Sequence, residues 1–197
     1  VKLPTKSTAK LCRFLGVMHG DGNMSFNRIH VSDKSKQYHT EVIAPMFREL
    51  FGVGLNLFHD CGRNSYYSHI KCSVLYRYLT EVLEIPKGAV REKLFISKDI
   101  TSGSLKQRAA YIAGLFDAEG HISKRQAMVS FSTTSKVLHT FVQSFLKDIK
   151  VKFSPSERKR RTNVEYEIYL YGKTNINKFK DIVTLKHPNK VSRLSNF

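Results

Sequence analysis

Apolar residues recur at helical spacing through residues 6–20, with Leu11, Phe14, Leu15 and Met18 on one face. That spacing predicts a helix, and Gly22 offers a left-handed residue to end it. Residues 23–33 alternate, with Phe26, Ile29 and Val31 apolar, and predict a short hairpin. Residues 36–51 are amphipathic, with a kink or restart expected at Pro45. A second hairpin is predicted over 53–60 and 64–72, around Cys61-Gly62-Arg63-Asn64, and residues 74–84 return to helical spacing. The order then runs again: helix 105–118, hairpin 121–133, helix 135–149, hairpin 151–171 and helix 174–185. Residues 86–104 carry Pro86, Gly88 and Thr101-Ser102-Gly103-Ser104 and are expected to be a linker. Residues 187–197 are polar and are expected to form a loose tail.

The recurrence is visible in the letters themselves. Val31-Ser32-x-x-Ser35-Lys36-x-x-His39-Thr40 is matched by Phe131-Ser132-x-x-Ser135-Lys136-x-x-His139-Thr140 at an offset of 100. Phe14 to Gly22 is matched by Ile112 to Gly120 at an offset of 98. The two-residue difference falls between Gly22 and Val31, where a hairpin turn can absorb it. The chain therefore reads as an α+β module used twice, 1–85 and 105–186, as a pseudo-dimer about an approximate two-fold axis.

Charge narrows the partners. The 197 residues carry 33 Lys and Arg against 16 Asp and Glu, a net charge of +17. Such an excess repels itself unless a polyanion offsets it, so nucleic acid is the expected partner. A membrane is not expected, because no apolar run approaches the ~18–20 residues that span one. Cys12, Cys61 and Cys72 have no zinc-like spacing and are expected to be reduced thiols. With no secretory pattern at Val1-Lys2-Leu3-Pro4, the chain is expected to be intracellular, in cytoplasm, nucleoid or an organelle.

The repeated nine residues carry the chemistry. Gly16 and Gly20, like Gly114 and Ala118, lie four apart on one helix face, where small residues let two backbones approach closely. Asp21 and Glu119 then fall at the C-terminal ends of two helices, the wrong end of each dipole for an anion. If the helices pack together, the carboxylates converge and require a cation. Their hard oxygens suit Mg²⁺, and the carbonyls of Gly20 and Ala118 could complete its shell. Two acids astride a basic surface imply metal-assisted phosphodiester cleavage.

At these residues the chain resembles the LAGLIDADG homing endonucleases in their single-chain, two-motif form. Ile112 to Gly120 departs from the nine-letter pattern only conservatively, with Phe116 and Glu119; Phe14 to Gly22 departs more, with His19 for the first acid and Gly20 for the alanine. The final acid, the family's metal ligand, stands in both copies. His19 lies outside that chemistry and is expected to make a contact near the helix end. The resemblance implies a monomer that cuts both strands of a long asymmetric double-stranded DNA site, leaving 3′ extensions. It also implies an intron-encoded, free-standing enzyme. Mg²⁺ is the expected cofactor, with Mn²⁺ substituting and Ca²⁺ supporting binding without efficient cutting. Beside the metals the resemblance places Asp33 and Thr133 or Thr134, with Lys124 as a candidate central cation.

The same resemblance sets each module's hairpins in the major groove, where a two-stranded ribbon can reach base edges. The candidate contacts are Ser25, Asn27, Arg28, His30, Ser32, Arg63, Asn64, Tyr66, His69 and Lys71 in the first half. In the second they are Lys124, Arg125, Gln126, Ser130, Ser132, the run Arg158, Lys159, Arg160 and Arg161, and also Glu165 and Glu167. Lys34, Lys36 and Lys136 follow the strands and are expected on phosphates. Tyr166, Tyr169 and Tyr171 alternate, so one face of their strand is expected to be core packing rather than base stacking. Two alternatives use the same fold: a maturase bound to intron RNA, and a DNA-binding regulator that does not cut. The two acids argue against both.

Overall fold

The computed structural model describes residues 1–88 and 94–197. Part of the expected linker, 89–93, lies outside the described residues. In chain order, α1 is Ala9–Gly20, β1 Gly22–Ser25, β2 Arg28–Asp33, α2 Lys36–Tyr38 and α3 Ala44–Phe51. There follow β3 Asn56–Asp60, β4 Ser65–Lys71, α4 Ser73–Arg77, α5 Lys98–Thr101 and α6 Leu105–Glu119. The second half continues with β5 Gly120–Ile122, β6 Met128–Thr133, α7 Lys136–Asp148, β7 Ser154–Lys159, β8 Val164–Tyr171, α8 Lys173–Ile182 and α9 Pro188–Leu194. The strands form two antiparallel four-stranded sheets of the same order, β1-β2-β4-β3 and β5-β6-β8-β7.

The repeat is reproduced in register. Gly22 pairs with Val31 and Gly120 with Phe131, so the offsets of 98 and 100 meet across one strand pair. The extra residues sit in the turns. Phe26 and Asn27 form a tight turn with φ of 48° and 58°, whereas residues 123–127 make a longer loop. Phe26 is therefore a turn residue, 97% exposed, and not the core position that alternation predicts.

The conserved spacing of the second block has a local cause. Asp33 Oδ1 and Thr133 Oγ1 accept the backbone N–H of Ser35 and Ser135 at 2.6 and 3.1 Å. Ser35 and Ser135 then cap the next helices, accepting from Tyr38 N at 3.2 Å and Leu138 N at 3.4 Å. Pro45 does not break its helix. The turn before it, His39–Ile43, widens to a π-helix in which Ala44 N–H reaches the His39 carbonyl, since Pro45 has no N–H for Glu41.

Two segments are more ordered than their composition suggests. In the linker region, Ile85, Leu94, Ile96 and Ile100 are buried, and α5 forms. The tail is not loose: α9 starts with Pro188 in its first turn, and Leu194 is buried.

One apolar core runs through both modules, and the α1–α6 pair is its centre. A Cβ on Gly16 would overlap the Tyr111 carbonyl oxygen and stand 2.9 Å from Leu115 N; one on Gly114 would overlap the Arg13 carbonyl and stand 2.9 Å from Val17 N. The two backbones touch, as the small-residue spacing requires. Gly22 is small for a different reason than expected. Asp21 closes α1 with φ −104°, and a Cβ on Gly22 would meet the Met18 backbone at 2.5 Å.

Gly16→Ala is therefore expected to lower the unfolding free energy measured in urea by an amount at or beyond the upper end of the ~1–3 kcal/mol typical of overpacking. Gly54→Ala, where nothing stands within 4 Å, is expected to leave it unchanged or slightly raised.

Candidate active site and nucleic-acid interface

The helix pair carries two cross-bonds related by the pseudo-two-fold axis. Arg13 Nη2 donates to Asp117 Oδ2 in a buried ion pair. At the equivalent positions, offset by 98, His19 Nδ1 meets the Tyr111 hydroxyl at 2.7 Å. The contact His19 makes in the last turn of α1 is thus a strut between modules, and the side chain is 6% exposed. Asp117 does more. Its Oδ1 accepts the backbone N–H groups of Lys186 at 2.8 Å and His187 at 2.9 Å, and Arg13 Nη1 donates to the Thr184 carbonyl at 2.8 Å. These bonds dock the segment that leads into α9.

With α1 and α6 in contact, their C-terminal ends come together. A Cβ on Gly20 would stand 3.3 Å from Glu119 Cγ, so the acid of α6 lies against the end of α1. Asp21 and Glu119 are both partly buried. Asp21 lines two adjoining cavities, one of about 270 Å³ with His19, Gly20, Asn23 and His30, the other of about 410 Å³ with Asp33, Ala118, His187 and Lys190. The Ala118 carbonyl, expected to face a metal, accepts the Lys190 ammonium at 2.8 Å. Burial pushes the Lys190 ammonium down, and Asp21, Asp117, Asp33 and Glu119 act in the other direction. Lys190 was not legible as a site residue, because its polar segment gave no periodicity. Lys124 stands exposed on the loop after β5, and the ammonium that reaches the end of α6 is that of Lys190.

Asp33 is tied into this cluster. Its Oδ1 lies 3.2 Å from His187 Nε2, and His187 stacks on Tyr38 at 4.5 Å. Burial opposes the Asp33 carboxylate, but the bonds from His187 and Ser35 outweigh it and hold its pKa below the usual value. Thr133 is buried, with its hydroxyl spent on Ser135.

The open sheet faces follow the strand period. In the first sheet, Arg28 pairs with Lys71, His30 with His69 and Ser32 with Tyr67, so these six share one face. Buried Ile29, Val31 and Ser68 take the other. Ser25, opposite Arg28, joins the open face. Tyr66 does not: it pairs with Asp33, on the parity of Ser68 and Ile70, and its neighbour Tyr67 faces outward instead. Phe58, Tyr67 and His69 stack on that open face, with centroids 5.5 Å apart for Phe58–Tyr67 and 4.9 Å for Phe58–His69. Asn27, Arg63 and Asn64 stand at exposed hairpin tips, and Lys34 and Lys36 are exposed beyond β2.

In the second sheet, Ser130 pairs with Tyr169, Ser132 with Glu167, and Arg158 with Glu165. Tyr169 and Tyr171 therefore lie on the open face, stacked at 6.0 Å, while Tyr166 packs against His139. The packing face expected among the three tyrosines is that of Tyr166. Glu165 accepts Ser132 Oγ at 2.9 Å and Arg160 Nε at 2.7 Å, so Arg160 is engaged within the protein. Arg158, Lys159 and Arg161 are exposed, as are Lys124, Arg125, Gln126 and Lys136, while Ser130 and Ser132 are half-buried.

Residues 106–184 match the model of the LAGLIDADG-like domain family. Most of the second module is thus similar to a LAGLIDADG-like domain, and the two modules together have the fold of a homing endonuclease. That endonuclease is I-DmoI. Its structure with DNA and Mn is 21% identical, with a TM-score of 0.67 over 92% of this chain and 99% of that one. Its structure with DNA and Ca is 19% identical, with a TM-score of 0.69 over 98% and 100%. Full-length DUF199/WhiA from Thermatoga maritima is 11% identical, with a TM-score of 0.65 over 100% of this chain and 62% of that one. In sequence, the chain is 26% identical to the glutamine–fructose-6-phosphate aminotransferase (isomerizing) of Methanocaldococcus jannaschii. That match covers 98% of this chain but 18% of the aminotransferase. Among the described residues, no helix is long and apolar enough to cross a membrane.

The His19–Tyr111 strut makes stability pH-dependent. Burial pushes His19 down to about 4, below its ordinary 6.5, so the folded state holds a neutral imidazole where the unfolded chain takes a proton. Stability is full above the unfolded value and falls as pH drops from about 6.5 to 4, by roughly 3 kcal/mol in all for this group. His19→Gln is expected to flatten that acid limb in urea unfolding at a series of pH values. An unchanged slope would assign the limb to the other histidines shifted down by burial, such as His39 and His139.

Proposed function

We propose that the chain is a monomeric, metal-dependent endonuclease that makes a staggered double-strand break in a long asymmetric DNA site. The observation that carries this reading is the backbone contact at Gly16 and Gly114, which sets two acid-ending helices side by side between two open sheets. A charge of +17 supplies the attraction to the polyanion. DNA is present with Mn or Ca in the I-DmoI complexes. An intron origin is part of this proposal.

The site suits a hard divalent cation. Among the described residues no three His, Cys, Asp or Glu side chains gather into an all-protein metal cage. Two carboxylates with room for water and phosphate oxygens are the kind of set that Mg²⁺ accepts. When bound, such a cation stabilises the charge that develops on the leaving oxygen. In this reading Asp21 and Glu119 hold it, with the Gly20 carbonyl beside them. The two sheets lie in successive major grooves, where Ser25, Arg28, His30, Ser32, His69 and Lys71 meet base edges from one side. Ser130 and Ser132 do so from the other. Phe58, Tyr67, Tyr169 and Tyr171 are apolar enough to contact thymine methyls. Lys34, Lys36, Lys136, Arg125 and the 158–161 turn meet phosphates, which position without specifying.

Asp21→Asn and Glu119→Gln keep shape but remove the anions that hold the cation. Each is expected to reduce cutting of both strands by at least ~10²-fold while leaving duplex binding intact. The assay pairs a gel shift with strand-resolved cleavage in Mg²⁺; parental rates in both variants would remove the acids from the mechanism.

Each neutralised phosphate contributes about −0.9 to the slope of log K against log salt. Replacing Arg158, Lys159 and Arg161 by Ala is expected to make that slope shallower by roughly 1–3 and to weaken binding. An unchanged slope would leave this turn a solvated charge run.

A further inference from the structure

In the basic run at the tip of the β7–β8 hairpin, one guanidinium is held over the open sheet face by a carboxylate. Arg158 pairs with Glu165 on that face, and Arg160 lies two residues on, with its backbone N–H on the Asn163 carbonyl at 2.8 Å. Arg160 Nε donates to Glu165 Oε2 at 2.7 Å, and Nη2 lies 2.5 Å from the same oxygen. The carboxylate is fixed from its other side, where Ser132 Oγ donates to Oε1 at 2.9 Å. The bonds from Arg160 and Ser132 hold the Glu165 carboxyl below its usual pKa, so it stays ionised at neutral pH. The first module's hairpin is built otherwise. Arg63 lies 3.9 Å from Asp60 with 86% of its side chain exposed, and Asp60 Oδ1 accepts the backbone N–H groups of Gly62 and Arg63.

An exposed ion pair adds little to stability. The grip on Arg160 instead removes rotamer freedom from a long side chain before a ligand arrives, so less is lost on binding. It uses the Nε–Nη2 edge of the guanidinium. The end edge, made by Nη1 and the second N–H of Nη2, is not part of that grip and presents two parallel donors. A phosphate can be met by any nearby cation, whereas O6 and N7 of guanine call for two donors in one plane. We propose that Arg160 is a specificity-determining residue that reads a guanine through its Nη1–Nη2 edge, and that Glu165 is its positioning residue. This rests on the reading of the open sheet faces as major-groove surfaces, and it adds one base contact to a turn otherwise set on phosphates.

The test uses the whole chain in Ca²⁺ with a library of randomised-sequence DNA duplexes, scored by the bases enriched at each position. The parent is expected to enrich guanine at one position that becomes indifferent in Arg160→Ala, with the other positions unchanged. Arg160→Lys keeps the charge but lacks the fork; it is expected to lose roughly ten-fold or more of the guanine preference there, at the parent's salt slope. Glu165→Ala keeps the arginine and is expected to weaken the same preference. Its binding to a fixed non-cognate duplex is expected to stay as tight or to tighten, because a carboxylate near phosphates has gone. If R160A and R160K enrich the parent's bases and R160A only makes the salt slope shallower, Arg160 is a phosphate contact and the proposal is overturned. A guanine preference lost in R160A but intact in E165A overturns the positioning role of Glu165 and leaves the base contact standing. A parent that enriches no base at any position removes the site-specific reading of the protein and this proposal with it.

Discussion

The structure depends on a place where no side chain fits. At Gly16 and Gly114 the α1 and α6 backbones meet directly, and a single methyl group on either would strike the opposite main chain. Each glycine sits mid-helix, where it is worse than Ala by about 1 kcal/mol. Close approach offsets that, because it lets both helices pack along their length and brings their carboxylate-bearing ends together. The core of each module grows outward from this seam. Phe14 packs edge-on against Phe47 and Phe51, and Phe116 lies against Phe131 and Phe179.

Around the seam the two modules have used equivalent positions differently. Arg13 with Asp117 and Tyr111 with His19 are the same geometric pair, one ionic and one neutral. The ionic copy leaves a second carboxylate oxygen free to organise the segment beyond α8, and it does so with two backbone N–H groups. A buried pair of this kind is fragile to losing one partner, at about 3–5 kcal/mol, because the survivor is left charged in the interior. The neutral copy ends on the wall of a cavity instead.

Much of this was legible in the sequence. The repeat offsets gave both modules, and the small-residue spacing gave the seam. The position of the indel anticipated the unequal turns at Phe26-Asn27 and 123–127. What escaped was structure held by single polar contacts. Residues 184–194 are ordered by Asp117, Arg13 and Lys190, and such bonds leave no periodic trace. The one local signal there was Pro188, well placed to open a helix. Strand parity also went astray at Tyr66, where an aromatic-rich strand looks alike on both faces until its partner register is known. The site residue most hidden from sequence, Lys190, is hidden for the same reason as the segment that carries it.

The docking of that segment has a consequence for how the protein comes into being. The Asp117 carboxylate is made long before the N–H groups of Lys186 and His187 that it accepts, and Arg13 waits still longer for the Thr184 carbonyl. Chains emerge from the ribosome in order, and modules fold as they appear. Until residues 184–190 are out, the Asp117 oxygen and the last carbonyls of α6 lack partners that the finished molecule gives them. The centre is thus the last part to mature, although the motifs that define it are among the first residues of each module. A nascent chain can carry two folded modules and still lack a finished centre.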